Sequence, residues 1–314
     1  MQKINLTGSY FKCGYKIGEI KKNIIRGYLE RDKALLHKAK EHHWSDILKF
    51  FENTAVLHGR FIEELAGIAQ GAGVDFIDVF LENCPEILAK TSGCTTVFVN
   101  GQGGSFLLHN EDEDSWRADD NYVLLSYKLQ NGLKYHGVAS PPELCGNSFG
   151  WNGHLVYSVD YLPSQKYLTG GVPRYFEDRG LLEQKSIKGV IKYLGSFKSA
   201  SSWHYLIAEF NGPAVSIERS GGSLSVKKLK DLYIHTNHYL HEPFRRRENY
   251  IPEITLRRLK IAGHEFHKDI SQKSALSIMK NKLFRPLDAS DTAKTFAVIM
   301  ADLKSKKIKI DSAP

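Results

Sequence analysis

The segment TSGCTTVFVN, residues 91–100, places a thiol, Cys94, between a glycine and a β-branched run. Cysteine is a strong nucleophile near neutral pH, and the base beside it decides whether it acts. What faces this thiol follows from the turn NGQGG, residues 100–104, which joins two alternating stretches and reads as a hairpin. If Val99 pairs with Phe106, Cys94 faces Glu111. A one-residue change in the turn would bring Asp112 opposite instead. Either way the acidic run HNEDED, residues 109–114, lies beside the sulfur. Neighbouring carboxylates disfavour a thiolate, so the setting is not that of a cysteine activated by an adjacent imidazolium. It suits a positively charged partner, and the α-ammonium of a newly made N-terminus is one.

That reading gives Gly93 a role. With no Cβ, it lets the backbone strain and the Cys94 thiol approach the Gly93 carbonyl. Attack would convert the amide to a thioester, water would hydrolyse it, and Cys94 would become a chain terminus. Its free amine, with an ordinary pKa of roughly 7.7–8.0, can then take the proton from its own thiol. A carboxylate such as Asp112 would hold that amine in place. The competing reading is a buried strand cysteine beside a solvated acidic turn, and local features alone leave both open.

Other clusters suggest less. His235, His238 and His241 are spaced by three, which on a strand alternates faces and gathers no single metal site. Asp112, Glu113, Asp114, Asp119 and Asp120 lack the calcium-loop spacing and its glycine, and all but Asp112 read as a solvated turn. There are four cysteines and no CxxC, so zinc-ribbon and thioredoxin chemistry have no support. Cys13, Cys84 and Cys145 are expected to be small buried hydrophobes. The net charge is +8, and its densest stretch is FRRRENYIPEITLRRLK, residues 244–260. Apolar residues at helical spacing interrupt those charges, which reads as the wet face of an amphipathic helix. No nucleic-acid-binding signature accompanies it. No apolar run reaches the roughly 18–20 residues that span a membrane, and the N-terminal residues lack a signal-peptide core. A cytoplasmic protein without nucleic-acid or membrane partners is expected.

The elements that must position these residues change character at Cys94. Before it, the chain reads as helix: apolar residues recur at three- and four-residue spacing through residues 15–70. A shorter helix follows, with Asp75 as its cap. After it come strands: the hairpin already described, a second around NG at 131–132, and further strands at GHLVYSVDYL, SSWHYLIAEF, PAVSIERS, SLSVKKL and LYIHTNH. A long helix is expected over VPRYFEDRGLLEQKSIKGVIKYLGS, with Pro173 near its first turn. Two more helices are expected at about 244–262 and 272–281, before the closing strands TAKTFAVIMADL and KKIKIDS. Hairpins dominate and no repeating βαβ unit appears, which predicts an α+β fold of two antiparallel sheets faced by helices.

GCTT followed by HNEDED resembles the acyl-coenzyme A:6-aminopenicillanic acid (isopenicillin N) acyltransferase family of autoproteolytic Ntn hydrolases, whose relatives include β-alanyl-dopamine hydrolase-like linear amide hydrolases. The likeness runs through most of the chain: EELAGIAQGAGVDFIDVFLEN before the junction, NSFGWNGHLVYSVDYL, GGVPRYFEDRGLLE and HTNHYL after it. It implies a four-layer αββα sandwich, a helical pro-segment or small subunit over residues 1–93, and a catalytic subunit over 94–314, together one globular unit. By resemblance Cys94 is the autoproteolytic and catalytic nucleophile after a Gly93–Cys94 break, and Asp112 positions the amine and nucleophile. Asn237 contributes to the oxyanion hole, and Arg285 in LFRPLD is the late active-site arginine. Asn110, Glu111 and Asp160 are weaker candidates for substrate contact. Asp160 departs from the asparagine common at that position in the family. The implied reaction is ping-pong, on the linear amide or acyl thioester bond of a small N-acyl substrate, with no metal or cofactor. The implied partners are a small-molecule amide or acyl donor and the two cleavage fragments for one another, with a homodimer as a further option. Two rivals stand beside it: a papain-like peptidase using Cys94, His235 and Asn237, and a catalytically silent binding protein.

Overall fold

The computed structural model describes residues 1–89, 93–114, 122–163, 166–246, 251–283 and 293–312. The chain opens with strand β1 (Gln2–Gly8), followed by helices α1 (Tyr10–Ile20), α2 (Lys22–Arg31), α3 (Lys33–Ala72) and α4 (Phe76–Glu82). Strands β2 (Gly93–Gly101), β3 (Gly104–Asp114), β4 (Val123–Leu129), β5 (Lys134–Ala139), β6 (Phe149–Asn152) and β7 (Leu155–Tyr161) come next. Helices α5 (Arg174–Leu181) and α6 (Ile187–Leu194) precede β8 (Ser202–Glu209), β9 (Ala214–Ser220), β10 (Ser223–Lys228) and β11 (Leu232–His235). Helices α7 (Glu242–Arg245), α8 (Glu253–Glu265) and α9 (Gln272–Lys282) lead to β12 (Ala293–Asp302) and β13 (Ile308–Ser312).

The strands form two sheets. The larger runs β1-β4-β5-β6-β7-β8-β9-β10 and the smaller β11-β2-β3-β12-β13. Strand pairing within both is antiparallel except for β1, which lies parallel to β4 along its full length. That strand is an addition to the mainly helical reading of the N-terminal region. Its pattern, Ile4, Leu6 and Gly8 inward, spans only seven residues. Asp75 caps α4 as expected, accepting from the Ile77 amide at 2.7 Å.

Three apolar layers set the order of the sandwich. In the first, α1 to α6 cover the outer face of the large sheet, with Ile17, Phe50, Phe61, Phe80 and Phe176 against Leu125, Tyr157 and Ile207. The second lies between the sheets, where Phe98, Leu107 and Ile299 meet Val138, Val156 and Leu206. In the third, Val97, Val99, Phe106, Leu108 and Met300 pack against Ala262 of α8 and Ala275 and Met279 of α9. The order is αββα. Period-two alternation explains the small sheet: Val97 and Val99 face the helices while Phe98 faces the other sheet.

Helices α1 and α3 meet at a seam of glycines. A Cβ on Gly14 would sit 1.9 Å from the Glu64 carbonyl oxygen, and one on Gly67 2.2 Å from that of Phe11. The backbones therefore touch directly, and no side chain larger than hydrogen fits between them. The helix expected over 172–196 is two helices of eight residues, α5 and α6. The break is tertiary in origin. The Asn152 side-chain amide donates to the carbonyls of Leu182 and Gln184, and Ser186 starts α6 by accepting from the Gly189 amide at 3.1 Å.

Candidate active site

The hairpin takes the first of the two registers the turn allows: Val99 pairs with Phe106 and Cys94 with Glu111. Directly opposed residues share a face, so the thiol and the carboxylate both point into the layer between the sheets. The Cys94 thiol donates to Glu111 Oε2 at 3.6 Å. That same Oε2 lies 2.8 Å from His109 Nε2. Two residues along β2 on the same face, Thr96 Oγ1 lies 2.8 Å from His109 Nδ1 and donates to Asp160 Oδ1 at 2.9 Å. Cys94 is 1% exposed, and Glu111 5%. Burial, then the charges of Glu111, Asp160 and Asp112, push the thiol well above its ordinary pKa, against the pull of Arg258. Burial likewise raises the Glu111 carboxyl, opposed by His109 and Arg174. The run 109–114 is therefore mostly buried strand, not a solvated turn. Asp119 and Asp120 lie outside the described residues.

Asp112 and Asn110 point to the other face of β3, toward α8. Arg258 of α8 donates through Nη1 to Asp112 Oδ2 at 2.6 Å, and through Nη2 in a short contact to Asn237 Oδ1. Asn237 Oδ1 also accepts the Cys94 amide N–H at 3.0 Å. Its Nδ2 donates to the Tyr161 carbonyl at 3.1 Å. Asn237 thus holds the backbone nitrogen of Cys94. Asn110 Nδ2 donates to Asp112 Oδ1 at 2.8 Å, and Thr295 donates to the same oxygen at 2.5 Å. The structure brings together Cys94, Glu111, Asp112 and Asn237, with Gly93 paired to Asp112. Arg285 lies outside the described residues.

Arg258 is the residue that sequence reasoning missed. It belongs to the basic stretch read as a wet helix face, yet it is 1% exposed. The signal was present: Thr255, Arg258 and Ala262 recur at helical spacing and form the buried stripe of α8.

Asp160 is fully buried and committed to side chains rather than to a substrate-facing surface. Its Oδ2 lies 2.6 Å from His204 Nδ1 and 3.4 Å from His235 Nδ1. His235 Nε2 reaches Glu218 Oε1 at 3.2 Å, and the rings of His204 and His235 stack with centroids 3.5 Å apart. Burial would lower His235, but Asp160 and Glu218 carry it up to about 9. Burial and the charge of His235 take His204 down to about 4. With its ring nitrogens facing Asp160 and Glu218, His235 does not address the thiol as a papain-type base would. His238 contacts Thr255 and Thr236, and His241 contacts Ser216 and Ser225, so the three spaced histidines diverge. Among the described residues, two groups have donor atoms within 4.8 Å of one another, as a metal ion would need: Cys94, His109 and Glu111, and Asp160, His204 and His235.

A sequence model of the family described as acyl-coenzyme A:6-aminopenicillanic acid acyl-transferase matches residues 99–313. That span includes Asp112, Asn237 and Arg258 and begins just after Cys94. The β-alanyl-dopamine/carcinine hydrolase of Drosophila melanogaster is 24% identical over 213 residues, covering 60% of this chain and 55% of that protein. The chain thus spans about half the length of that relative. Among solved structures, a mutant conjugated bile acid hydrolase from Clostridium perfringens aligns with a TM-score of 0.46 at 12% identity, covering 70% of this chain and 92% of that one. Penicillin V acylase from Agrobacterium tumefaciens aligns with a TM-score of 0.39 at 13% identity, covering 71% and 76%.

Proposed function

Because the chain belongs to the acyl-coenzyme A:6-aminopenicillanic acid acyltransferase family, an Ntn-type family of amide hydrolases and acyltransferases, we propose that its nucleophile is Cys94 made N-terminal by scission of the Gly93–Cys94 bond. The observation that carries this reading is the hold on the Cys94 nitrogen. Its N–H donates to Asn237 Oδ1, and Arg258 and Asp112 complete a buried set around that oxygen and the strand beside it. A nitrogen that is to become a leaving group and then a base must be kept in one place, and side chains from three elements keep it there. Once freed, the amine takes the thiol proton and the thiolate attacks an amide or thioester carbonyl. The acyl-enzyme then passes its acyl group to water or an amine. Scission also releases the chain on the N-terminal side of a thiol that is otherwise closed off. The substrate class is a small linear N-acyl amine, as the name of the Drosophila relative suggests.

Residues 1–93 act as the pro-segment or small subunit. Strand β1 is paired along its length with β4, and helices α1 to α4 share a core with the large sheet, so the two fragments would stay together after the cut. Intact mass measurement of the matured protein tests the reading. A fragment beginning at Cys94, and loss of both cleavage and amide turnover in Cys94→Ala, are expected. Full amide turnover by a chain whose Gly93–Cys94 bond is never broken would overturn it.

A further inference from the structure

Before the cut there is no free amine, so the thiol needs another proton acceptor for its first attack. We propose that Glu111, oriented by His109, Thr96 and Asp160, is the catalytic base that activates Cys94 for scission of the Gly93–Cys94 bond, an inference that rests on the autoproteolytic reading above.

The hydrogen bonds fix where the protons are. Asp160 lies between His204 and His235, which hold it below the usual carboxylate range against the effect of burial. It therefore accepts and does not donate, and the single hydroxyl hydrogen of Thr96 points to it. Thr96 Oγ1 is then an acceptor toward His109, so the proton on Nδ1 belongs to His109. Two lone pairs do not face each other at 2.8 Å. The contact between His109 Nε2 and Glu111 Oε2 must hold a proton as well. We place that proton on Nε2, which makes His109 an imidazolium and leaves Glu111 a carboxylate whose Oε2 also accepts from the thiol.

From that state the step balances. The thiol proton passes to Glu111 Oε2, leaving a thiolate whose charge is matched by the imidazolium. Sulfur bonds to the Gly93 carbonyl carbon and the π pair moves to oxygen. When that tetrahedral centre collapses, the C–N pair stays on the Cys94 nitrogen, which takes the proton back from Glu111. Water then attacks the thioester, giving one proton to the new amine and the other to the departing sulfur, and the C–S bond breaks to leave a Gly93 carboxylate and a Cys94 thiol beside its own ammonium. Glu111 serves the first half, and the amine succeeds it. His109, Thr96 and Asp160 touch no reacting atom and act as positioning residues. Asp160 fixes the polarity of the chain of hydrogen bonds, because a carboxylate can only accept from Thr96.

The test follows scission of the full-length chain from its synthesis in a cell-free system, timed by mass, over a range of pH. Positioned acid–base groups contribute about 10²–10⁴-fold, so Glu111→Gln should lengthen the half-time by that factor. Its rate should then climb about tenfold per pH unit, as hydroxide must do the work of the missing base, where wild type is flatter. Glu111→Asp should recover part of the rate, and His109→Gln should slow the cut and move the profile. If Glu111→Gln matches wild type within about threefold, or if every variant lowers the rate by one factor at all pH values with no rescue by aspartate, Glu111 is not the base and autoproteolysis stands without it. If the wild-type bond is never cut, the parent reading falls and this inference with it. Should Glu111→Gln fail to fold, the same profiles of Glu111→Asp and His109→Gln decide.

Discussion

Replacing Arg258 by methionine isolates the ion pair beneath Cys94. The variant removes a donor 2.6 Å from Asp112 Oδ2 and a short contact to Asn237 Oδ1. At an effective dielectric of about 20, charges that close attract by about 6 kcal/mol. Part of that is offset because the guanidinium no longer has to be dehydrated. Asn110 and Thr295 still donate to Asp112 Oδ1, which softens the loss further. A fully buried carboxylate stripped of its cation leaves a net cost of about 3–5 kcal/mol. The measurement is denaturant unfolding in a Cys94→Ala background, so that no cleavage intervenes. Adding Asp112→Asn removes the stranded charge and should return more than half of the lost stability, whereas each change added independently would deepen it. A cost below about 1 kcal/mol for Arg258→Met, or a double variant no more stable than that single one, would refute the reasoning. In the Cys94-bearing chain Arg258→Met should also slow scission, since Asn237 loses one of the groups that fix it.

The stacked histidines predict a stability maximum near pH 6.5. His235, carried up to about 9, adds stability below its unfolded value of about 6.5 that is lost as pH rises through 9, and His204, held down near 4, removes stability as pH falls from 6.5 toward 4. Each limb is worth about 3 kcal/mol at roughly 1.4 kcal/mol per tenfold change. Urea midpoints across pH check this: His235→Gln should abolish the alkaline limb and Asp160→Asn should shrink it, and an unchanged limb in both would count against the assignment. Gly14→Ala should lower the unfolding free energy by about 1–3 kcal/mol or more, because the added methyl meets the Glu64 carbonyl. A loss of less than about 0.5 kcal/mol would show that the two helices separate freely.

The parts of this molecule governed by local rules were legible in its sequence. The NGQGG turn and the alternation on either side of it narrowed the β2–β3 register to two choices one residue apart, and the structure takes the one that pairs Cys94 with Glu111. What escaped depends on partners far along the chain. Arg258 looks solvated because its neighbours Arg257 and Lys260 are charged; helical spacing puts it on the buried stripe of α8, but its partner there, Asp112 on the facing strand, is 146 residues away. The break between α5 and α6 is made by Asn152, which no helical periodicity reports. The ionic cluster of Asp160, His204, Glu218 and His235 draws one residue from each of four strands in two sheets. Alternation places each of them in the middle layer, but their meeting is visible only when the sheets are stacked.

The glycine seam between α1 and α3 has a consequence for timing. Surfaces that fit backbone to backbone match in one alignment and tolerate no sliding, so the seam closes when both helices are fully formed or not at all. Glu64 of α3, whose carbonyl lies in that seam, also binds Arg179 and Tyr127 through its side chain, so the one alignment of the seam sets where those partners meet. If the chain cuts itself at residue 93 as proposed, a fit of this kind would favour cutting in molecules whose first segment is already docked.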